Sequence, residues 1–303
     1  MKKSISDNVW GILACSYCNN GLKKTDTGAE CLNCGLCYPY TESGSLNMHP
    51  QLTKQYSLDF EIGTQVFPGN EFQLEPLKVN KDPEVNFNGQ KIPRHLTREM
   101  LSYFPKAKST DSLMLDLGCG GAIHKEACEH AGFEWVGFDY ASPQADILGD
   151  AHTLPFKSSS FEFILCVTVL QYMRYPFVMM REVFRILKPG GKLIGTVAFL
   201  EPFNGVGFYH NTHLGVFNLL QYGGFKIDEL SPSKNWSGLA ALASMGLFPK
   251  MPRPIAKSLV FPLELSHKLW WRMGDLVTRR NRENMRIRNF AGSFTFIASK
   301  DPS

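Results

Sequence analysis

Five of the eight cysteines fall within the first 37 residues, as CSYC at 15–18 and CLNCGLC at 31–37. Two C-x-x-C pairs separated by twelve residues suit a zinc ion, because each pair presents two thiolates from one tight turn and four thiolates complete a tetrahedron. The spacing points to Cys15, Cys18, Cys31 and Cys34 as ligands and leaves Cys37 over. Four thiolates leave no open coordination position, so the metal would be structural. A pair of disulfides is the competing use, disfavoured in a reducing compartment, and a redox pair needs only one C-x-x-C.

A second constellation lies at LMLDLGCGG, 113–121, read together with VGFDY, 136–140. An apolar strand runs into Asp116, Gly118, Cys119 and Gly120. A helical stretch follows, AIHKEACEHAG, and then a second apolar strand stops on Asp139. This is a β-α-β unit with a glycine-rich first turn, where backbone can approach a ligand closely, and with an acid on the second strand placed for ribose hydroxyls. The order D-L-G-C-G-G-A lacks the G-x-G-x-x-G fingerprint of a dinucleotide pyrophosphate site. Further along, His210 and His213 are suited to take a proton near neutrality. Thr212 reads as the N-cap of the helix LGVFNLLQY, ended by Gly223 and Gly224, which offers His213 a plain place in a first turn.

The elements that must hold these groups come from a chain of 303 residues, 44% hydrophobic with a net charge of +4, as expected of a folded globular protein. No window reaches the length of a membrane span, and the apolar run near the start is too short for a secretory signal, so a cytoplasmic location is expected. Residues 1–50 are too few for a self-sufficient core, and there the metal would take the core's place. Residues 51–90, broken by Pro68, Pro76 and Pro83, read as a linker with one short helix at most. Residues 91–303 form the remaining domain. It opens on IPRHLTREMLSYFP, whose Ile92, Leu96, Met100, Tyr103 and Phe104 sit at helical spacing.

From Leu113 to Phe199 the chain resembles the class I S-adenosylmethionine-dependent methyltransferases of the type 11 group. DLGCGGA matches that family's first motif and VGFDY its second. GDAHTLPF matches the third, and FEFILCVTVLQYM with MMREVFRILKPGGKLIGTVAF the fourth strand, helix and fifth strand. The departures are Ala122 for a usual third glycine, Glu162 for Asp and Gln171 for a frequent His. The resemblance implies an α/β fold, a Rossmann-like seven-stranded sheet with helices on both faces, behind a small zinc ribbon like those fused to or partnered with some methyltransferases. It implies S-adenosylmethionine as methyl donor beside the structural Zn2+. Gly118, Cys119 and Gly120 would pass the methionine tail and Asp116 would help hold its amino group. Asp139 would bind the ribose, Tyr140 would lie near the adenine, Asp150 and the Ala151 amide would meet the ring's polar edge, and Cys166 would line the methyl side. The acceptor side would be built after the fifth strand, around His210 and His213.

Residues 232–290 stand apart as an insertion before the last strand, sized for two or three helices. Within it, residues 233–290 hold eleven Lys/Arg against three Asp/Glu, and Leu259, Leu263, Trp270, Met273 and Val277 form one apolar stripe. The commonest use of such a stripe is packing onto the parent domain. A cationic surface beside apolar bulk also suits a lipid-linked acceptor, or peripheral contact with the inner face of an anionic membrane. The function expected is methylation of a small-molecule, glycan or lipid-linked acceptor, most plausibly on oxygen. An rRNA or tRNA base methyltransferase with a zinc-ribbon recognition domain is the alternative. Against it, the ribbon has few basic residues, and CVTVLQY after the fourth strand lacks the Asn/Asp-Pro-Pro-Tyr/Phe motif.

Overall fold

The computed structural model describes residues 5–60, 74–202 and 206–302; parts of the expected linker (61–73) and of the expected acceptor loop (203–205) lie outside them. The N-terminal module begins with α1 (Asp7–Ile12), whose N-cap Ser6 accepts from the Val9 amide at 3.2 Å. An antiparallel meander of β1 (Leu22–Thr25), β2 (Gly28–Cys31) and β3 (Cys37–Pro39) follows. Next comes β4 (Leu46–Asn47), which leaves the module and pairs in parallel with a strand of the main sheet.

The main body starts at α2 (Arg98–Leu101), much shorter than the helix expected over 92–104. Thr97 caps it by accepting from the Met100 amide, and His95 sits at φ +70°, so the chain before Thr97 turns instead of winding. The apolar spacing is still used: Leu96, Met100 and Phe104 are buried, whereas Ile92 is exposed.

Next come β5 (Leu113–Leu117), α3 (Lys125–His130), β6 (Glu134–Asp139), β7 (Ile147–Leu148), β8 (Phe161–Val167) and a 3-10 turn at Leu170–Tyr172. Then α4 (Pro176–Ile186) leads directly into β9 (Leu187–Ala198), with Pro176 at its first turn, where a missing amide hydrogen costs nothing. They are followed by α5 (His213–Gly223), β10 (Lys226–Pro232) and α6 (Gly238–Ala241), which runs into a π turn, Leu242–Leu247. α7 (Arg253–Thr278), α8 (Glu283–Asn289) and β11 (Ser293–Ser299) complete the chain.

Apart from β1–β3, the strands form one sheet in the order β10-β11-β9-β8-β5-β6-β7-β4, parallel except that β11 runs antiparallel to both neighbours. All five residues of β5 are buried, as a central parallel strand covered on both faces requires. Seven strands were expected in this sheet, and the described residues supply eight. The eighth is β4, because the two-residue edge strand β7 offers unpaired backbone groups that Leu46 and Met48 satisfy, donating to Asp146 O at 2.9 Å and Leu148 O at 2.7 Å.

The insertion departs furthest from expectation. Only Ala256 and Val260 of α7 are buried, and they belong to a small cluster with Ala243. The stripe of Leu259, Leu263, Trp270, Met273 and Val277 does not pack onto the parent domain but stands 52% to 85% exposed. A different face of the helix docks instead: Glu264 bonds Ser237, and the His267 ring lies 4.5 Å from that of Phe290.

Candidate active site and metal centre

The four cysteines converge. All Sγ atoms of Cys15, Cys18, Cys31 and Cys34 lie within 4.8 Å of one another, with Cys18–Cys31 at 3.5 Å and Cys15–Cys34 and Cys18–Cys34 at 3.6 Å. A tetrahedron with metal–sulfur bonds of about 2.3 Å has edges of about 3.8 Å, so the donor set and its size fit a zinc ion. The Asn33 and Cys34 amides donate to Cys31 Sγ at 3.5 Å. The Cys37 thiol faces the Gly35 carbonyl instead. Tyr38, wholly buried, places its hydroxyl 3.0 Å from Cys15 Sγ and 3.1 Å from Ser16 Oγ.

The glycine-rich turn follows β5. Gly118 and Cys119 both donate to the Phe138 carbonyl, at 2.8 and 3.0 Å, which ties the turn to the end of β6. Gly118 sits at φ +73°, and a Cβ there would lie 2.4 Å from Val169 Cγ2, so only glycine fits. Before Gly120 the space is open for 4 Å. Ala122, the departure from the usual third glycine, adopts φ +54°, a left-handed conformation that explains why glycine is the easier residue there.

Asp139 closes the two loops together: one carboxylate oxygen accepts from Gly120 N at 2.9 Å and the other from Ala141 N and Ser142 N at 3.0 Å. Tyr140, 68% exposed, stands beside it. Its ring is edge-on to His49 at 4.7 Å, and its carbonyl lies 2.8 Å from His49 Nε2, so the chain just past β4 braces it.

Asp116 is 1% exposed. One of its oxygens accepts from Trp135 Nε1 at 3.3 Å; the other faces His124 Nδ1 at 3.5 Å without a hydrogen bond. An unsatisfied buried carboxylate oxygen is costly and calls for a donor. An ammonium group would meet that need, so this turn fits the amino-acid tail of S-adenosylmethionine.

Asp150 accepts from the His152 amide at 2.9 Å and from its Nδ1 at 2.5 Å, while His152 Nε2 accepts from Tyr175 N. The imidazole proton therefore resides on Nδ1. Against the effect of burial, the hydrogen bonds from the His152 ring and amide hold the Asp150 carboxyl below its ordinary value. Ala151 is buried next to it. Cys166 is fully enclosed, and burial pushes its thiol up to about 12, so it is a neutral, compact wall residue.

The two histidines separate. His213 is the first residue of α5, where Thr212 caps by accepting from Gly215 N at 3.2 Å, and its ring packs 5.7 Å from that of the core residue Phe294. His210 is exposed in the loop between two anchors over the sheet's end: Tyr209 N donates to Gln171 O, and Asn211 N to Ala198 O. Around it are groups to which the sequence assigned no role. Glu201 accepts from Trp236 Nε1 at 2.6 Å, and Arg253 lies over the Trp236 ring at 5.1 Å. Burial raises the Glu201 carboxyl, and the Trp236 hydrogen bond and the Arg253 charge restrain the rise. Thr168 takes φ +57°, unusual for a β-branched residue, at the end of β8. Gln171 Oε1, Thr196 Oγ1 and Asn211 Nδ2 are buried there without partners. Thr168, Gln171 and Thr196 lie within the quoted motifs and His152 within GDAHTLPF, but no spacing gives them, His49 or His124 a partner, since partners are set by loops and distant strands.

Residues 115–195 match the methyltransferase-domain family. The chain is similar to the biotin biosynthesis bifunctional protein BioHC of Cellvibrio japonicus, 32% identical over 113 residues, 33% of this chain and 22% of that protein. It is also similar to the sterol 4-C-methyltransferase strm-1 of Caenorhabditis elegans, 26% identical over 166 residues, 48% of this chain and 47% of that protein. The chain thus spans less than half the length of either relative. Among solved structures, a complex between the Haloferax volcanii Trm112 methyltransferase activator and a putative methyltransferase aligns at 18% identity with a TM-score of 0.44, covering 67% of this chain and 88% of that one. From the matched segment and the four motifs within and beside it, residues 115–195 belong to a methyltransferase domain of the class I, S-adenosylmethionine-dependent kind, carried behind a four-cysteine module.

Proposed function

We propose that the protein transfers a methyl group from S-adenosylmethionine to a small-molecule, glycan or lipid-linked acceptor, on an acceptor oxygen. The observation that carries the cofactor half of this reading is the joined pair of loops: Asp139 bridges the glycine turn to the end of β6 beside the unsatisfied Asp116 oxygen. The donor supplies a methyl group on a positively charged sulfur, ready for in-line displacement. The chain's work is alignment and exclusion of water, which can supply much of such an acceleration. Gly118, Cys119 and Gly120 present backbone to the methionine tail, Asp116 holds its ammonium, Asp139 orients the ribose, and Tyr140, Asp150 and Ala151 flank the adenine. Cys166 would help line the methyl-donor side and, enclosed and neutral, would not compete as a nucleophile. His210 takes the proton released by a hydroxyl acceptor, and its exposure over the ends of β8 and β9 supports that role better than His213's packing on Phe294 does. The unpartnered polar atoms of Gln171, Thr196 and Asn211 support an acceptor bearing hydroxyl or amide groups.

Calorimetry with S-adenosylmethionine tests the reading. Asp139→Ala and the milder Asp139→Asn should both weaken binding, the former at least about tenfold, since charge-assisted hydrogen bonds are worth roughly 1.5–3 kcal/mol. Unchanged affinity in both variants would remove Asp139 from the site. Mass spectrometry of polar and lipid-linked acceptor panels should show a 14 Da gain that His210→Gln slows and that stays intact in His213→Gln.

A further inference from the structure

We infer that α7 is a docking surface for an anionic lipid bilayer, lying flat in the headgroup layer. The helix runs 26 residues, about 39 Å at 1.5 Å per residue. Leu259, Leu263, Trp270, Met273 and Val277 recur at steps of three, four and seven, which keeps them on one face. Leu265, Leu269 and Leu276 run along the same side. All eight are between 44% and 85% exposed, a continuous apolar strip of a kind soluble surfaces avoid. The helix is nonetheless held in place, since its docked face is fixed by Ala256 and Val260 and by the Glu264 and His267 contacts.

Charge selects the occupant. Residues 253–288 carry nine Lys/Arg against three Asp/Glu. The acids have partners: Glu264 with Ser237, Asp275 with Arg282 at 2.8 Å, and Glu283 with Arg286 at 3.8 Å. Lys268 and Arg272 lie one turn apart beside the Leu265–Leu269 row, and Arg279 and Arg280 follow at the helix end, all four exposed. Cations flanking an apolar strip match a plane of anionic headgroups over acyl chains. A second copy of this chain matches less well, because a self-complementary contact on this strip would bring the same four cations of each copy together. Among the described residues no helix is long and apolar enough to cross a membrane, so the contact would be peripheral. The start of α7 is rooted at the acceptor end through Arg253, Trp236 and Glu201, so a docked helix would set that end of the sheet beside the bilayer. The surface property stands independently of methyl transfer.

Flotation of the full chain with phosphatidylcholine vesicles, with and without about one third phosphatidylglycerol, tests this. The wild type should float with the anionic vesicles, and salt should weaken the association. Trp270→Asp combined with Val277→Asp should lose it by roughly tenfold or more while leaving the circular dichroism and S-adenosylmethionine affinity unchanged. Lys268→Glu with Arg272→Glu should abolish the preference for anionic lipid. Failure of the wild type to float, equal flotation of the Asp variant, or a lipid-free dimer that this variant dissociates would each overturn the proposal.

Discussion

The two appendages of the main sheet solve the problem of a small core in opposite ways. The cysteine module joins the main core: Leu13, Cys15, Tyr38, Leu46 and Met48 are at most 2% exposed and share one cluster with β5 and β8. Hydrogen bonds reinforce that union. Ala14 N donates to Pro155 O, Lys157 N to Ile12 O, and Ser45 Oγ to Ala145 O at 2.6 Å. The α6–α8 insertion rests on a three-residue cluster and leaves its longest apolar strip in the open. A short segment can therefore be fixed by borrowing the core and an edge of the main sheet, while a long amphipathic helix can be anchored on one face and unspent on another.

The sharpest way to break the contrast is to remove the metal. Structural zinc in small domains is worth on the order of 10 kcal/mol or more in apparent binding free energy. Elemental analysis should find one zinc per chain, and Cys31→Ser should release it and unfold the module, with α7 remaining helical. A metal-free wild type that keeps the module folded would end the assignment.

Next in size is Leu13→Ala, at the seam where Leu13 bridges Phe156. A fully buried leucine reduced to alanine should cost about 2–5 kcal/mol, read from denaturant unfolding of the metal-loaded protein. A cost near zero would mean that the module only leans on the sheet.

A smaller effect is expected where the insertion meets the body. Burial, aided by the Arg288 charge, lowers the proton affinity of His213. Its neutral form favours the fold, so its contribution is present in full above the unfolded value of about 6.5 and is lost as pH falls through the lower folded value. Wild-type stability should therefore decline on acidification more steeply than that of His213→Gln. Parallel profiles would show that no such coupling exists.

The smallest effect tests the insertion's exposure. Leu276→Ser, 80% exposed, should change unfolding free energy by no more than about 0.5 kcal/mol in lipid-free solution. A loss several times larger would mean that the strip is covered within the protein.

The sequence by itself determined what short spacing can encode. Two C-x-x-C pairs specify two tight turns of thiolates, and an apolar run into Gly118 and Gly120, with Asp139 closing the next strand, puts that acid beside the turn because consecutive parallel strands are neighbours. Thr212 and Gly224 likewise bound α5 through local cap chemistry. Tertiary structure alone decided that β4 crosses from the module to the edge of the main sheet, that His124 faces Asp116, and that Trp236 joins Glu201 to Arg253. It also decided that the stripe on α7 stays open. The physical reason is the same throughout: a turn or cap is satisfied by atoms a few residues away, whereas a strand edge, a buried carboxylate oxygen or an apolar stripe is satisfied by whatever the rest of the chain brings to it, or by a surface beyond the chain.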